Sequence, residues 1–379
     1  MNFESNLKPE EYARYSRHII IPEFGLEGQL KLKSSSVLVI GSGGLGSPVL
    51  LYLAAAGVGH IGIVDFDTVD DSNLQRQVLF TVDDLGKSKA QTAKERIQKL
   101  NPHIKVTVFE ERFTKENALE IIKDFDVVAD GTDNFPTRYL VNDACVLAGK
   151  VNVYASIFRF EGQVSVFNYL KEDGTRGPNY RDMFPEPPPP GLVPNCSEGG
   201  VLGVLPGIIG SLQANEVIKV LTGVGDPLVG RLFLFDAASF TTRILKVHKS
   251  PDTKIEQLIN YEQFCGMDDS PDKLVKEISV HELLDYKTKG IDYQLIDVRE
   301  PHEYSISHLD AALIPMGAIG ESASKIAKDK PVILYCRSGI RSAKAIRELE
   351  ENFGFTNLHN LKGGILAWAK EIDTSMITF

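Results

Sequence analysis

Two short stretches of the 379-residue chain carry residues with chemistry to offer. The first is Gly41-Ser42-Gly43-Gly44-Leu45-Gly46. It ends the apolar run Val37–Ile40, and Asp65 stands at the end of the next apolar run, "HIGIVDFD". Glycines at a strand end let backbone N–H groups and a helix N-terminus approach a phosphate. The second is Cys336, which ends the apolar run "VILY" and precedes Arg337-Ser338-Gly339-Ile340-Arg341. A thiol between a strand end and a helix N-terminus, flanked by two cations, lies in positive potential that favours the thiolate. One stretch therefore reads as a site for a nucleotide phosphate, the other as a site for a nucleophilic sulfur.

The glycine loop alone fits a dinucleotide, and a nicotinamide dehydrogenase is the first reading it invites. Its neighbours argue for a triphosphate. Asn73 and Arg76 follow in "DFDTVDDSNLQRQ", Lys89 in "GKSKA" and Asp133 in "DGTDN". A dinucleotide pyrophosphate carries about two charges, which a helix N-terminus largely satisfies. A triphosphate carries about four and calls for cationic side chains with a carboxylate-held magnesium ion. Arg76, Lys89 and Asp133 make that set. At Cys336 only four residues, Arg337 to Ile340, precede Arg341. That is one fewer than in the phosphate cradle of cysteine phosphatases, and the smaller ring suits a persulfide sulfur.

Strand–helix alternation positions these residues. Strands are expected at Val37–Ile40, His60–Asp65, Lys105–Phe109 and Asp126–Ala129, with helices between, as in "SKAQTAKERIQKLNP". This is the pattern of a doubly wound, mostly parallel α/β sheet. Two strands around Glu161-Gly162 follow. The prolines from Pro185 to Pro194 then predict an extended, mobile crossing loop. After it "VLGVLPGIIGSLQANEVIKVLTG" reads as a buried helix and "GRLFLFDAASFTTRILKV" as a hairpin. Residues 248–272 lose periodicity and read as a linker between a first domain, 1–247, and a small α/β domain, 273–379. In the latter a helix is expected from about Ser342. The net charge of −10 and pI near 5.4 argue against nucleic acid as a partner. No apolar run reaches the roughly 18 residues of a membrane span. The N-terminus lacks a signal-peptide core, and cytoplasm is the expected location.

The motifs "RYSRHI", "GSGGLGS", "DFDTVDDSNLQRQ", "GKSKA", "DGTDN" and "CSEGGVLGVLPGIIGSLQANEVIK" resemble the MoeB/ThiF family, bacterial relatives of ubiquitin-activating enzymes, over about residues 8–247. The resemblance implies a Rossmann-like fold and a homodimer. It implies ATP-dependent adenylation of the C-terminal glycine of a small ubiquitin-like sulfur carrier. By that resemblance Asp65 binds the ribose, and Gly41, Gly43, Gly44, Asn73, Arg76 and Lys89 surround the phosphates. Asp133 holds magnesium, and Arg17 reaches ATP from the partner subunit. Many members hold a structural zinc on two Cys-x-x-Cys pairs. Here the first pair's place reads Asn179-Tyr180-Arg181-Asp182, and the second, near Val247–Thr253, has no cysteine, so no zinc is expected. Cys196 stands where the family has a loop cysteine. A covalent link to the carrier and an unreactive loop thiol both stay open for it.

Residues 273–379 resemble rhodanese sulfurtransferases through "LIDVREPHEYSISHLDAALIP", "VILYCRSGIRSAKAI" and "LKGGILAWAKE". The resemblance implies a persulfide on Cys336, drawn from a cysteine desulfurase or from thiosulfate. Ser307 departs from it, standing where glycine is usual. Asp297 and Arg299 are expected to be structural and His308 to be packed in a turn. Together the two halves read as a fused adenylyltransferase–sulfurtransferase, serving molybdenum cofactor, thiamine or related sulfur-transfer biosynthesis. The alternative makes the second half a docking module on an adenylyltransferase.

Overall fold

The computed structural model describes residues 7–188, 199–266 and 275–378. The chain divides into two units, Met1–Asp268 and Asp269–Phe379, each with its own sheet.

The first unit is built on eight strands: β1 Ser36–Ile40, β2 His60–Val64, β3 Lys105–Phe109, β4 Val127–Asp130, β5 Val151–Phe158, β6 Glu161–Phe167, β7 Arg231–Asp236 and β8 Thr241–Lys246. Their order is β3-β2-β1-β4-β5-β6-β7-β8. Pairing is parallel from β3 through β5 and antiparallel from β5 to β8. β1 and β2 are buried along their whole length, as apolar strands covered on both faces must be. Strand order reverses direction between β1 and β4, and that is where a doubly wound sheet opens a crevice at its carboxyl edge.

Helices cover both faces. In chain order they are α1 Pro9–Ile19, α2 Gly25–Ser34, α3 Gly46–Ala56, α4 Lys89–Leu100, α5 Ala118–Ile122, α6 Phe135–Leu147, α7 Tyr180–Met183 and α8 Leu205–Thr222. α3 and α8 pack with α4 against one face, through Val49, Leu53, Ala93, Ala214 and Val217. α5 and α6 cover the other, through Ile121, Ile122, Leu140 and Ala144. α8 begins with a proline in its first turn and stops at Gly223, whose φ of 74° ends the helix without strain. α1 is docked rather than free. Tyr15 lies against Gly57, where an added Cβ would come within 2.5 Å of its ring, and its hydroxyl accepts a hydrogen bond from Asn101.

The expected linker, 248–272, is not a linker over its described part. Its described part, 248–266, packs into the first unit. It forms α9, Tyr261–Phe264, and buries Tyr261 and Cys265 beside α6 and α7. The Tyr261 hydroxyl donates to Asp143 Oδ2 at 2.8 Å. Sequence periodicity missed this because a few apolar contacts from irregular chain carry no period. Most of the proline-rich stretch, Cys196 included, lies outside the described residues.

The second unit has a five-stranded parallel sheet of order β11-β10-β12-β13-β9. Its strands are β9 Glu277–Ile278, β10 Gln294–Asp297, β11 Ala312–Leu313, β12 Val332–Tyr335 and β13 Leu358–Leu361. Its helices are α10 Val280–Lys289, α11 Pro301–Ile306, α12 Ile340–Phe353 and α13 Gly364–Glu371. α12 buries Ser342, Ala345, Ile346 and Leu349, the i, i+3, i+4, i+7 stripe of a helix against a sheet. It starts at Ile340, two residues before the expected Ser342. Gly339, at φ 97°, turns the chain sharply enough for helix to begin inside the loop.

Candidate nucleotide and sulfur-transfer sites

The glycine loop leaves β1 with Gly41 at φ 87°, its N–H bonded to Val64 O at 2.8 Å. A Cβ on Gly46 would lie 1.9 Å from Gly41 O, so only glycine lets the loop close on itself. A Cβ on Gly41 would lie 3.1 Å from Gly131 O. The turn after β1 and the turn after β4 therefore touch, and the Asp133 turn stands beside the glycine loop.

Asp65 is nearly buried, and its carboxylate clamps the loop. The Ser42 N–H and hydroxyl donate to Oδ2 at 2.8 and 2.7 Å, and the Asp67 N–H donates to Oδ1 at 2.9 Å. The loop is shaped before any ligand arrives. Asn73 and Arg76 lie on and just after a short turn of 3₁₀ helix, Asp71–Asn73. Asn73 Oδ1 accepts from the Asp70 N–H, and Arg76 Nη1 donates to Ser72 O at 2.9 Å. A Cβ on Gly44 would meet Pro206 at 3.3 Å and Arg76 Cγ at 3.8 Å, which sets the arginine against the loop. Lys89 opens α4 from a buried position, its Nζ 3.3 Å from Asp67 Oδ2. The structure thus gathers Gly41, Gly43, Gly44, Asp65, Arg76 and, through Asp67, Lys89 around one turn.

Asp133 is exposed, and what holds it escaped the sequence reading. Asp130, fully buried at the end of β4, accepts from the Thr132 N–H at 3.0 Å and hydroxyl at 2.6 Å. Arg138 Nη2 reaches Thr132 O at 3.4 Å from the first turns of α6. Asn134 caps α6 by accepting from the Thr137 N–H. Burial pushes the Asp130 carboxyl above the usual range, and the Arg138 charge offsets only part of that. Its Oδ2 has no hydrogen-bond partner among the described residues. The signal was present in "VADGTD", an aspartate ending an otherwise apolar strand. Arg17 is exposed on α1, whose packing leads to Gly57 and Asn101 rather than to the loop.

In the second unit Cys336 is buried at the end of β12. The Gly339 N–H donates to its Sγ at 3.1 Å. Ser342 Oγ, which donates to Asn360 Oδ1 at 2.6 Å, lies 3.5 Å from the same sulfur. The carbonyls of Cys336 and Arg337 are turned away onto the start of α13, accepting from Ile365 and Leu366 at 3.0 and 3.1 Å. A Cβ on Gly364 would lie 2.4 Å from Cys336 O, so this close approach requires glycine. Ser338 and Ile340 are exposed and Gly339 is buried within the loop. The two-cation picture needs a correction. Arg341 is held by Glu303 through two bonds of 2.6 and 2.7 Å, so its charge is largely answered before it reaches the sulfur. The loop amide and the helix start supply much of what stabilises a sulfur anion. Burial opposes ionisation of Glu303, yet Arg341 and the Glu300 N–H hold its carboxyl below the usual range.

Asp297 and Arg299 form a buried pair whose arginine also donates to Ser307 O at 2.6 Å, tying the end of β10 to the turn. His308 stacks on Tyr304 with ring centres 4.3 Å apart. Cys145 and Cys265 are buried as well. Burial raises the Cys145 thiol far above its usual value and pushes that of Cys265 up to about 11, so neither is a ready nucleophile.

The ThiF family pattern matches residues 15–257, glycine loop and Asp133 turn included. The chain belongs to the ThiF family. The pattern of a rhodanese-like domain matches residues 279–371. A relative from Mycobacterium tuberculosis, the probable adenylyltransferase/sulfurtransferase MoeZ, is 52% identical over 99% of this chain and 97% of its own. The adenylyltransferase and sulfurtransferase MOCS3 of Drosophila grimshawi is 42% identical over 97% of this chain and 86% of its own. The sulfur carrier protein adenylyltransferase of Thermus thermophilus is 52% identical but covers 68% of this chain and 98% of its own. Escherichia coli MccB, solved with MccA-N7isoASN, matches in fold over 66% of this chain and 76% of its own, with a TM-score of 0.57 and 23% identity. The ThiF unit is an adenylyltransferase and the rhodanese-like unit a sulfurtransferase. Among the described residues no helix is long and apolar enough to cross a membrane.

Proposed function

We propose that the ThiF unit uses ATP to adenylate the C-terminal glycine of a small ubiquitin-like sulfur carrier, and that Cys336 then delivers sulfur to it. The carrier carboxylate attacks the α-phosphorus, an acyl-adenylate forms and pyrophosphate leaves. No protein nucleophile is needed, so the residues act by positioning and charge. Gly43 and Gly44 offer backbone N–H groups to the phosphates, with Asn73, Arg76 and Lys89, while Gly41, whose N–H is bonded to Val64 O, turns the chain so that the phosphates can approach. Asp65, which accepts two hydrogen bonds from the loop and one from the Asp67 N–H, keeps acceptor capacity for a ribose hydroxyl. The residues fit magnesium: Asp133 is an exposed carboxylate beside the loop, and Asp130, whose Oδ2 is unpartnered among the described residues, ends the preceding strand. Asp133 would hold the ion, which would supply counter-charge for the departing pyrophosphate.

For sulfur, the Cys336 thiolate attacks the outer sulfur of a donor such as thiosulfate, and sulfite leaves with the electron pair of the broken bond. A cysteine desulfurase is the other donor class. The Cys336 persulfide attacks the acyl-adenylate carbonyl, AMP leaves and an acyl disulfide forms. A dithiol reductant breaks the S–S bond: one thiol attacks the Cys336 sulfur and frees the carrier thiocarboxylate, and the second closes the reductant's own disulfide and returns the cysteine. The observation that carries the reading is the glycine loop ringed by Arg76, Lys89 and the Asp133 turn, on one chain with a buried cysteine whose sulfur accepts a loop N–H. Homodimerisation and the biosynthetic routes named above belong to this proposal. Carrier-dependent ATP–pyrophosphate exchange tests it. Exchange is expected only with a carrier ending in glycine, and exchange indifferent to every carrier tried would overturn it.

A further inference from the structure

Gln77 follows Arg76 directly and has no part in the reading above. Its side chain is 5% exposed, held down by the burial of Leu79 and Phe80 just beyond it. Its Oε1 has no hydrogen-bond partner among the described residues. Its Nε2 lies 3.4 Å from where a Cβ on Gly43 would stand, as Arg76 lies against Gly44. Two successive side chains thus lie against two successive glycines, Arg76 by its aliphatic stem and Gln77 by its amide. A buried carboxamide whose acceptor oxygen goes unused costs stability wherever its NH₂ end does nothing else. A packing role would be filled better by methionine or leucine. The place where this amide stands is where a phosphate must come if the loop binds one.

We propose that Gln77 is a phosphate-binding residue of the nucleotide site, its Nε2 donating to a phosphate oxygen of ATP as it enters over Gly43. The proposal rests on the ATP reading. A neutral donor fixes the phosphate chain without adding a third positive charge for departing pyrophosphate to escape. It also adds to the reasons for glycine at 43, because a side chain there would push the amide away.

The test uses the full-length chain, titrated calorimetrically with ATP and melted without nucleotide, as wild type, Gln77→Met and Gln77→Glu. Gln77→Met should weaken ATP binding about tenfold or more. It should melt, nucleotide-free, at or above the wild-type temperature, because a stranded polar group has been removed. Gln77→Glu keeps the shape and adds a negative charge, so it should bind ATP more weakly still. Wild-type binding with unchanged affinity in either variant would overturn the proposal and leave the ATP reading standing. A nucleotide-free Gln77→Met chain that melts several degrees lower would make Gln77 a packing residue and also overturn it. Wild type that fails to bind ATP would overturn the ATP reading, and this inference with it.

Discussion

Asp133 stands exposed on a turn whose shape is set by its neighbours, with Asp130 and Arg138 both bonded to Thr132. Removing its carboxylate should therefore cost catalysis more than folding. Asp133→Ala is expected to slow ATP–pyrophosphate exchange on the order of a hundredfold or more, as loss of counter-charge on the leaving group would, and to melt close to wild type. Near wild-type exchange across a magnesium titration would remove Asp133 from the site. At the sulfur site the residue to test is Glu303. Its folded-state pKa lies below the ordinary 4.5, so its pairing with Arg341 stabilises fully above that value. The contribution is lost as pH falls from 4.5 through the depressed value. Glu303→Gln should make the second unit less stable at pH 7 and should flatten its loss of stability on acidification. Parallel melting curves of the two proteins from pH 7 to pH 3.5 would count against the pair.

At the scale of elements, α7 and the chain after β8 supply the two segments in which the resemblance to MoeB/ThiF proteins would place zinc-binding cysteines. Asn179 and Asp182 occupy the first cysteine positions and cap α7. The Asn179 N–H donates to Asp182 Oδ2 at 2.7 Å, and the Arg181 N–H donates to Asn179 Oδ1 at 2.9 Å. Asp182 Oδ1 also accepts from the Ser250 N–H at 3.1 Å, in the segment where the second pair would fall. Hydrogen bonds join these two segments. Elemental analysis should find no zinc in the purified chain, and about one zinc per chain would refute this. Asp182→Ala should cost about 1–2 kcal/mol, as loss of a helix cap does, and lower the melting temperature by a few degrees. A melting curve that coincides with wild type would mean the clip carries no stability.

At the scale of the whole molecule the two sites lie in separate units, each with its own sheet and core. Cys336→Ala should therefore abolish sulfur transfer from thiosulfate and leave carrier adenylation intact. Loss of adenylation in a folded protein would show that the sites depend on one another. Arg17 belongs to this scale as well, because α1 is docked on its own subunit through Tyr15 and presents Arg17 outward. If it completes a neighbouring subunit's site, mixing Arg17→Ala and Asp133→Ala chains should restore exchange, with one good site in each mixed dimer. No recovery after verified subunit exchange would rule out a role across subunits.

The strand–helix alternation of the first four strands, the glycine loop and the cysteine loop were legible in the sequence. Period and glycine placement are local, and a phosphate or persulfide loop is a contiguous run of chain. Arg76, Lys89 and Asp133 could be singled out because charges of that kind have few uses beside such a loop. What tertiary structure alone decided are contacts between residues far apart in sequence. Arg341 meets Glu303 across thirty-eight positions, and Asp143 meets Tyr261 across one hundred and eighteen. The first changes the electrostatics around Cys336, and the second draws 248–266 out of the linker and into the first core. Gln77 marks the same boundary. Its type and position were in plain view beside Arg76, but only the fold shows an amide buried against Gly43 with its Oε1 unpartnered among the described residues. Burial and pairing belong to neighbours in space, and a one-dimensional pattern does not hold them.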